Sequence, residues 1–148
     1  MEISQITDYL YISPRQMVKD IEQISQLDLG LIIDMVIHRK PPREIQNSRI
    51  DILSLPAIDF VLIPIPIKLL NHGVEASLTV INQGRSVLVY CHAGRHRSVA
   101  MACCILVAKG YSADKAIELV KAKRQKADPD AWHIKRQIKH YEKWRSKI

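Results

Sequence analysis

The segment running from Val87 to Val107 constrains this chain most. Val87-Leu88-Val89-Tyr90 is an apolar run of β-forming residues that ends on Cys91. A short loop follows, His92-Ala93-Gly94-Arg95-His96, then Arg97 and Ser98. Val99 to Val107 is uncharged and of helical length. A strand feeding a buried helix through a tight loop belongs in a layered α/β fold, at the core of a sheet with helices packed on it.

The loop itself carries chemistry. A thiol is a poor nucleophile when protonated, so a reactive cysteine needs surroundings that favour the thiolate. A turn between a strand and a helix start gathers backbone N–H groups, and the helix N-terminus adds positive potential. Gly94 suits a backbone that curls through positive φ. Arg97 closes the ring, and its planar guanidinium matches two oxygens of a phosphoryl group. The Ser98 hydroxyl is placed to donate toward the sulfur. Cys-x5-Arg also arises by chance, and buried cysteines are usually core filler. The strand before the loop, the internal glycine, the serine after the arginine and the uncharged helix together favour a nucleophile that attacks phosphate esters.

Cys91-His92-Ala93-Gly94-Arg95-His96-Arg97-Ser98 resembles the Cys-x-x-Gly-x-x-Arg-Ser/Thr signature of the cysteine-dependent protein tyrosine phosphatases, and within them the small dual-specificity type. The likeness covers nearly the whole chain. Ile6 to Ser13 looks like that family's opening strand, Gly30 to Met35 like the next strand, and Leu53 to Asp59 like the segment that leads into the general-acid loop. The resemblance implies a single catalytic domain over residues 1–148. It also implies a central, mostly parallel sheet flanked by helices, with the phosphate-binding loop between the central strand and the following helix. The reaction it implies is metal-independent phosphomonoester hydrolysis through a cysteinyl-phosphate. Cys91 is the nucleophile, and Arg97 and Ser98 assist it. His92, Ala93, Gly94, Arg95 and His96 form the substrate-binding loop, and no cofactor is required.

A leaving alkoxide or phenoxide needs a proton. Asp59 stands 32 residues before Cys91, about the family's separation, and follows a strand-like run. The residues after it, Phe60 to Ile67, are unusually apolar for a mobile acid loop. In some archaeal relatives the acid follows an Ile-Pro-Ile-Pro-like stretch, a register that would put Ile67 in the acid's place. Asp51 is the remaining fallback. Tyr90 is a second departure, because the family usually has histidine before the cysteine. Tyrosine can hydrogen-bond but carries no positive charge near neutral pH.

The alternating pattern extends along the chain. Met17, Ile21, Ile24 and Leu27 recur at helical spacing, and Leu29 to Ile37 reads as a buried strand. Arg39 to Glu44 reads as a charged, proline-broken loop, and Arg49 to Leu55 as another strand. Leu70, Val74, Leu78 and Ile81 line a helix that ends near Gly84. Gly110 stops the helix after the loop. Ser112 is an N-cap for a helix displaying Ala113, Ala116, Ile117 and Val120. Ile134, Ile138 and Tyr141 mark a last helix with Trp144 beside that face.

Charge and cysteine usage bound the function class. The 148 residues carry a formal net charge of +7. Ten bases and only three acids (Asp128, Asp130 and Glu142) fall from Lys121 onward. Such a face is either simply solvated or attracts anionic substrates, lipids or RNA. Aromatic residues are 5% of the chain, too few for a dedicated single-strand nucleic-acid platform. Three cysteines, two of them adjacent, make no disulfide framework, and no cluster has zinc-ligand spacing. Cys103 and Cys104 read as core residues, with a resolving thiol for Cys91 as the sharper alternative. No run approaches a membrane span and the first residues do not resemble a signal peptide, so a cytoplasmic monomer is expected.

Two substrate classes and one inactive alternative follow. Phosphotyrosyl protein leads, with phosphoserine and phosphothreonine as further targets. A phosphoinositide or RNA 5′-phosphate substrate is favoured by His92, Arg95 and the basic C-terminal region. A non-catalytic phosphate-binding module is favoured by Tyr90 and the apolar stretch after Asp59, and opposed by the intact Cys91, Arg97 and Ser98.

Overall fold

The computed structural model describes residues 2–148. Five strands form one sheet: β1 (Ser4–Thr7), β2 (Leu10–Pro14), β3 (Leu29–Asp34), β4 (Asp51–Ser54) and β5 (Ser86–Cys91). Their order across the sheet is β1-β2-β5-β3-β4, and only the β1–β2 pair is antiparallel. β5 is thus the middle strand, paired with β2 on one side and β3 on the other. All six of its residues are buried, as a strand covered on both faces requires.

Alternation along β5 sorts its side chains between two layers. Val87, Val89 and Cys91 join the larger core, whereas Leu88 and Tyr90 join the smaller one on the opposite face. The larger layer is covered by four helices: α3 (Ile67–Asn82), α4 (Arg97–Ala108), α5 (Ala113–Lys123) and α6 (Trp132–Arg145). The smaller layer is covered by a 3-10 turn at Arg15–Lys19 and two short helices, α1 (Ile21–Ser25) and α2 (Arg43–Gln46). α4 is buried from Arg97 to Leu106 and packs against α3, α5 and α6, which explains the lack of charge after Arg97.

Several elements differ from the sequence expectation in their bounds. The opening strand is two strands joined at Asp8 and Tyr9, where the Tyr9 N–H donates to Thr7 Oγ1. The helical spacing from Met17 to Leu27 is broken at Asp20, whose carboxylate accepts from the Gln23 N–H and so starts a new helix. The strand predicted to reach Ile37 ends at Asp34, whose Oδ1 accepts from the Val36 N–H at 2.8 Å and turns the chain. His38, at φ 63°, takes the chain out to the surface. Ser112 caps α5 as expected, accepting from the Lys115 N–H.

Candidate active site

The C-terminal ends of β3, β4 and β5 lie on one edge of the sheet, with Asp34 beside both Ser54 and Tyr90. Ligands bind at such an edge in open α/β sheets. The loop from Cys91 to Arg97 curls there. Gly94 has φ 69°, and its N–H points back to Cys91 Sγ at 3.2 Å. Ser98 Oγ lies 3.1 Å from the same sulfur. Cys91 is 2% exposed and Ser98 is fully buried, so the sulfur sits at the bottom of the curl.

Arg97 opens α4 and is only 8% exposed. Its Nη1 donates to the Met35 and Ala57 carbonyls at 3.3 and 3.1 Å. Its Nε is buried and has no partner among the described residues. One end of the guanidinium is therefore anchored, while the Nε edge retains a donor suited to an anion. The Ala57 contact also ties the segment preceding Asp59 to this arginine.

Asp59 is brought to the loop. Its Oδ2 lies 3.2 Å from His96 Nδ1, and the other nitrogen of that ring, Nε2, lies 3.4 Å from Asp128 Oδ2. Ile67 is elsewhere, as the first residue of α3. Asp51 begins β4 opposite Leu31, three residues before the active edge, roughly 10 Å away at strand rise. Ile58, Phe60, Val61, Leu62 and Ile63 are exposed, with Leu62 at 73%. With Trp132 they wall a cavity of about 400 Å³ that reaches Arg97 and Asp59.

These geometries and the chain's likeness to known proteins converge. The model of the dual specificity phosphatase catalytic domain matches residues 9–144. The chain belongs to the dual specificity phosphatase family. Dual specificity protein phosphatase 22 of mouse is 30% identical over 146 residues, covering 95% of this chain and 74% of that protein. Dual specificity phosphatase 28 of mouse is 26% identical over 130 residues, covering 86% and 76%. A crystal structure of human DUSP28 carrying one tyrosine-to-histidine change superposes with a TM-score of 0.89 at 21% identity, over 99% of this chain and 98% of that one.

Within the phosphatase, the remaining loop residues diverge in their surroundings. His92, Ala93 and Arg95 are exposed and face a second cleft of about 930 Å³. His96 turns the other way, toward Asp59. The two other cysteines are fully buried in α4. Cys103 and Cys104 start six and seven residues into that helix, roughly 9 Å or more along its axis. Burial pushes both thiols above the ordinary cysteine range, as packing residues rather than nucleophiles require.

Tyr90 is fully buried on the far face of the sheet from Cys91, beside Asp34. Burial, with the Asp34 charge adding to it, pushes the phenol well above its ordinary range.

Arg124 escaped the sequence reading, where it counted only as one base in a basic tail. It is 2% exposed. It donates to the carbonyls of Gly94, Ala93 and Glu2 and to Ser4 Oγ. Burial pushes its guanidinium pKa down, and the Cys91 and Glu2 charges act in the opposite sense. A Cβ at Gly94 would stand 2.6 Å from Arg124 Nη2 and 3.2 Å from the Pro14 nitrogen. Glycine is therefore required there by space as well as by φ. Nothing in a list of residues marks this one of the tail's ten bases as buried, since the signal is purely tertiary.

Proposed function

We propose that the phosphatase hydrolyses phosphomonoesters of proteins through a Cys91 thiolate, with phosphotyrosine as its leading substrate and phosphoserine and phosphothreonine as further ones. Residues 1–148 act as one catalytic domain. Cys91 Sγ attacks phosphorus as the ester P–O bond breaks. Arg97 and the loop amides from His92 to His96 hold the equatorial oxygens, where charge is greatest. Asp59 gives its proton to the leaving oxygen. In the second step Asp59 takes a proton from water, whose oxygen attacks phosphorus, and Sγ departs with help from the Ser98 hydroxyl. The observation that carries this reading is the convergence of the Gly94 N–H and the Ser98 hydroxyl on one buried sulfur, beside an arginine whose buried Nε has no partner among the described residues. The apolar walls of the adjoining cavity, Ile58, Phe60 and Trp132, suit an aromatic side chain next to the phosphate. Three free thiols and no disulfide among the described residues support work in a reducing compartment such as the cytoplasm. No helix among those residues is long and apolar enough to cross a membrane.

The test is hydrolysis of an aryl phosphate with a poor leaving group, in the presence of chelator. Cys91→Ser is expected to abolish turnover, and Asp59→Asn to lower it by about 10²–10⁴-fold. Turnover surviving in Cys91→Ser would overturn the mechanism. Absent wild-type turnover with retained binding of a phosphate analogue would favour the non-catalytic module.

A second reading has its own observation. The cleft on the other side of the loop is lined by Arg15, Lys19, Arg39, His92, Arg95 and Lys126, with Asp128 as its one acid. Such a groove suits a multiply charged inositide or an RNA 5′-end. The C-terminal helices support this less than their composition suggested. Lys121 pairs with Asp130, Lys139 with Asp114 and Arg145 with Glu75, while Arg124 is buried. Arg39→Glu combined with Lys126→Glu is expected to depress turnover of an inositide phosphate or RNA 5′-phosphate at least about 10-fold more than that of an aryl phosphate.

A further inference from the structure

Beside the phosphate loop, three side chains from separate parts of the chain form a group the hydrolysis does not need as a unit. Asp59, in the segment after β4, His96, just before α4, and His133, in the first turn of α6, each bring one ligand-capable atom within 4.8 Å of the others. The His96 and His133 rings meet edge to face at 5.2 Å between centroids. Their sequence separations are far outside any zinc-binding spacing, so only the fold assembles them.

Two observations point to a cation. His96 has a carboxylate oxygen at each ring nitrogen, Asp59 at 3.2 Å and Asp128 at 3.4 Å. A neutral imidazole carries one N–H and can donate to only one of them. The imidazolium form donates to both carboxylates, whereas the neutral form, with its proton on Nε2 toward Asp128, sets a lone pair on Nδ1 against a carboxylate lone pair on Asp59, an arrangement that a bound cation completes. Independently, His133 Nδ1 is buried and has no hydrogen-bond partner among the described residues. A metal ion shared by the three groups satisfies both. Asp128 then stands behind His96 as the carboxylate that fixes a ligating histidine's tautomer and raises its basicity.

The geometry suits zinc. Bonds of about 2.0–2.2 Å in a tetrahedral site place neighbouring ligand atoms roughly 3.3–3.5 Å apart. The Asp59–His96 separation of 3.2 Å is already close to that, and a ligand atom of His133 lies within 4.8 Å of both. Two imidazoles and one carboxylate are a usual zinc ligand set, with the fourth position left for water or a phosphate oxygen. The charges of Asp59 and Asp128 balance those of the ion.

We propose that Asp59, His96 and His133 form an inhibitory zinc site that withdraws the general acid. A carboxylate held by zinc carries no proton for the leaving oxygen, whereas attack by Cys91 is untouched. Inhibition is therefore strong for esters with poor leaving groups and weak for those with good ones. The inhibitory consequence rests on Asp59 being the acid, but binding does not.

The experiment titrates the protein with zinc alone in a metal buffer. Affinity is followed by competition with a chromogenic chelator, and inhibition on phenyl phosphate and on a nitrophenyl ester. Wild type is expected to bind one zinc, and Cys91→Ser to bind it equally. His133→Ala is expected to keep basal turnover, bind zinc at least about 10-fold more weakly and lose the inhibition on phenyl phosphate. His133→Gln serves as the second variant, with circular dichroism checking the fold of both. The site is overturned if wild type binds no zinc at micromolar concentration, if both His133 variants retain wild-type affinity, or if Cys91→Ser abolishes binding. Equal inhibition of the two esters overturns the acid-withdrawal step. Asp59→Asn with undiminished phenyl phosphate turnover would instead sink the acid assignment, while the zinc affinities would still decide the site.

Discussion

Ser98 has one consequence that separates it from its neighbours. Its hydroxyl lies 3.1 Å from Cys91 Sγ, and in the proposed mechanism it assists the thiolate that must leave, so its value there is realised in the second step. Ser98→Ala is expected to leave the first turnover fast and to slow the steady state about 10²-fold, as loss of one preorganised donor does. Rapid-quench measurement should then show a burst of released alcohol, and its absence would place Ser98 in the first step. Asp34 makes a prediction about stability. Burial pushes its carboxyl above the ordinary range, while the Val36 N–H, the Tyr90 hydroxyl, Arg15 and Arg97 favour the charged form. A raised folded pKa means that the folded state holds its proton to higher pH than the unfolded chain. That contribution to stability is complete below about pH 4, the unfolded value, and is lost as pH rises through the folded one. Asp34→Asn keeps an acceptor for the Val36 N–H. It should therefore melt higher than wild type at pH 7, with the gap closing as pH falls toward about 4. A gap that does not change with pH would show that the charge is not the cause.

At the scale of elements, the loop is held from outside as much as by its own turns. Arg124, at the end of α5, clamps the Ala93 and Gly94 carbonyls and reaches back to Glu2 and Ser4 at the start of the chain. Arg124→Met would leave four acceptors without this donor. At about 1–3 kcal/mol for each acceptor that stays dry, a net loss of about 3 kcal/mol is expected, with a fall in kcat as the loop loosens. Chemical denaturation with parallel kinetics would measure both, and an unchanged kcat would show that the loop holds its own shape. α3 and α4 illustrate what periodicity does disclose. The Leu70, Val74, Leu78, Ile81 stripe lies on one side of α3, and the uncharged run after Ser98 lies in α4, buried through Leu106. The strand expected to reach Ile37 was longer than the real one. Met35 and Val36 are apolar because they are buried, yet by then the backbone has turned at Asp34 and the Met35 carbonyl serves Arg97.

For the whole molecule, the net charge of +7 is spread unevenly in its effects. Ion pairs occupy several C-terminal bases, while the groove beside His92 and Arg95 keeps bases from the N-terminal half and the loop together. If that groove receives polyanions, attraction acts over about a Debye length, roughly 8 Å at physiological ionic strength. Raising salt from about 0.05 to about 0.5 M is then expected to reduce kcat/KM for an inositide or RNA substrate several-fold more than for a phosphotyrosyl peptide. Equal salt dependence would assign the charge to solubility.

What the sequence alone determined is local. The strand, the loop with its cysteine, arginine and serine, the buried helix after it and the cap at Ser112 are contiguous in the chain. Their spacing therefore carries their meaning, and the family and layered fold were legible from them. Tertiary structure alone decided which distant groups meet. It set Asp59 against His96 instead of Asp51 or Ile67, buried one arginine of a basic tail beneath the loop, and turned Tyr90 to the face opposite Cys91. It also gathered Asp59, His96 and His133 at one point. The reason is physical: burial and proximity between residues tens of positions apart depend on how layers stack, and no periodicity along the chain records that.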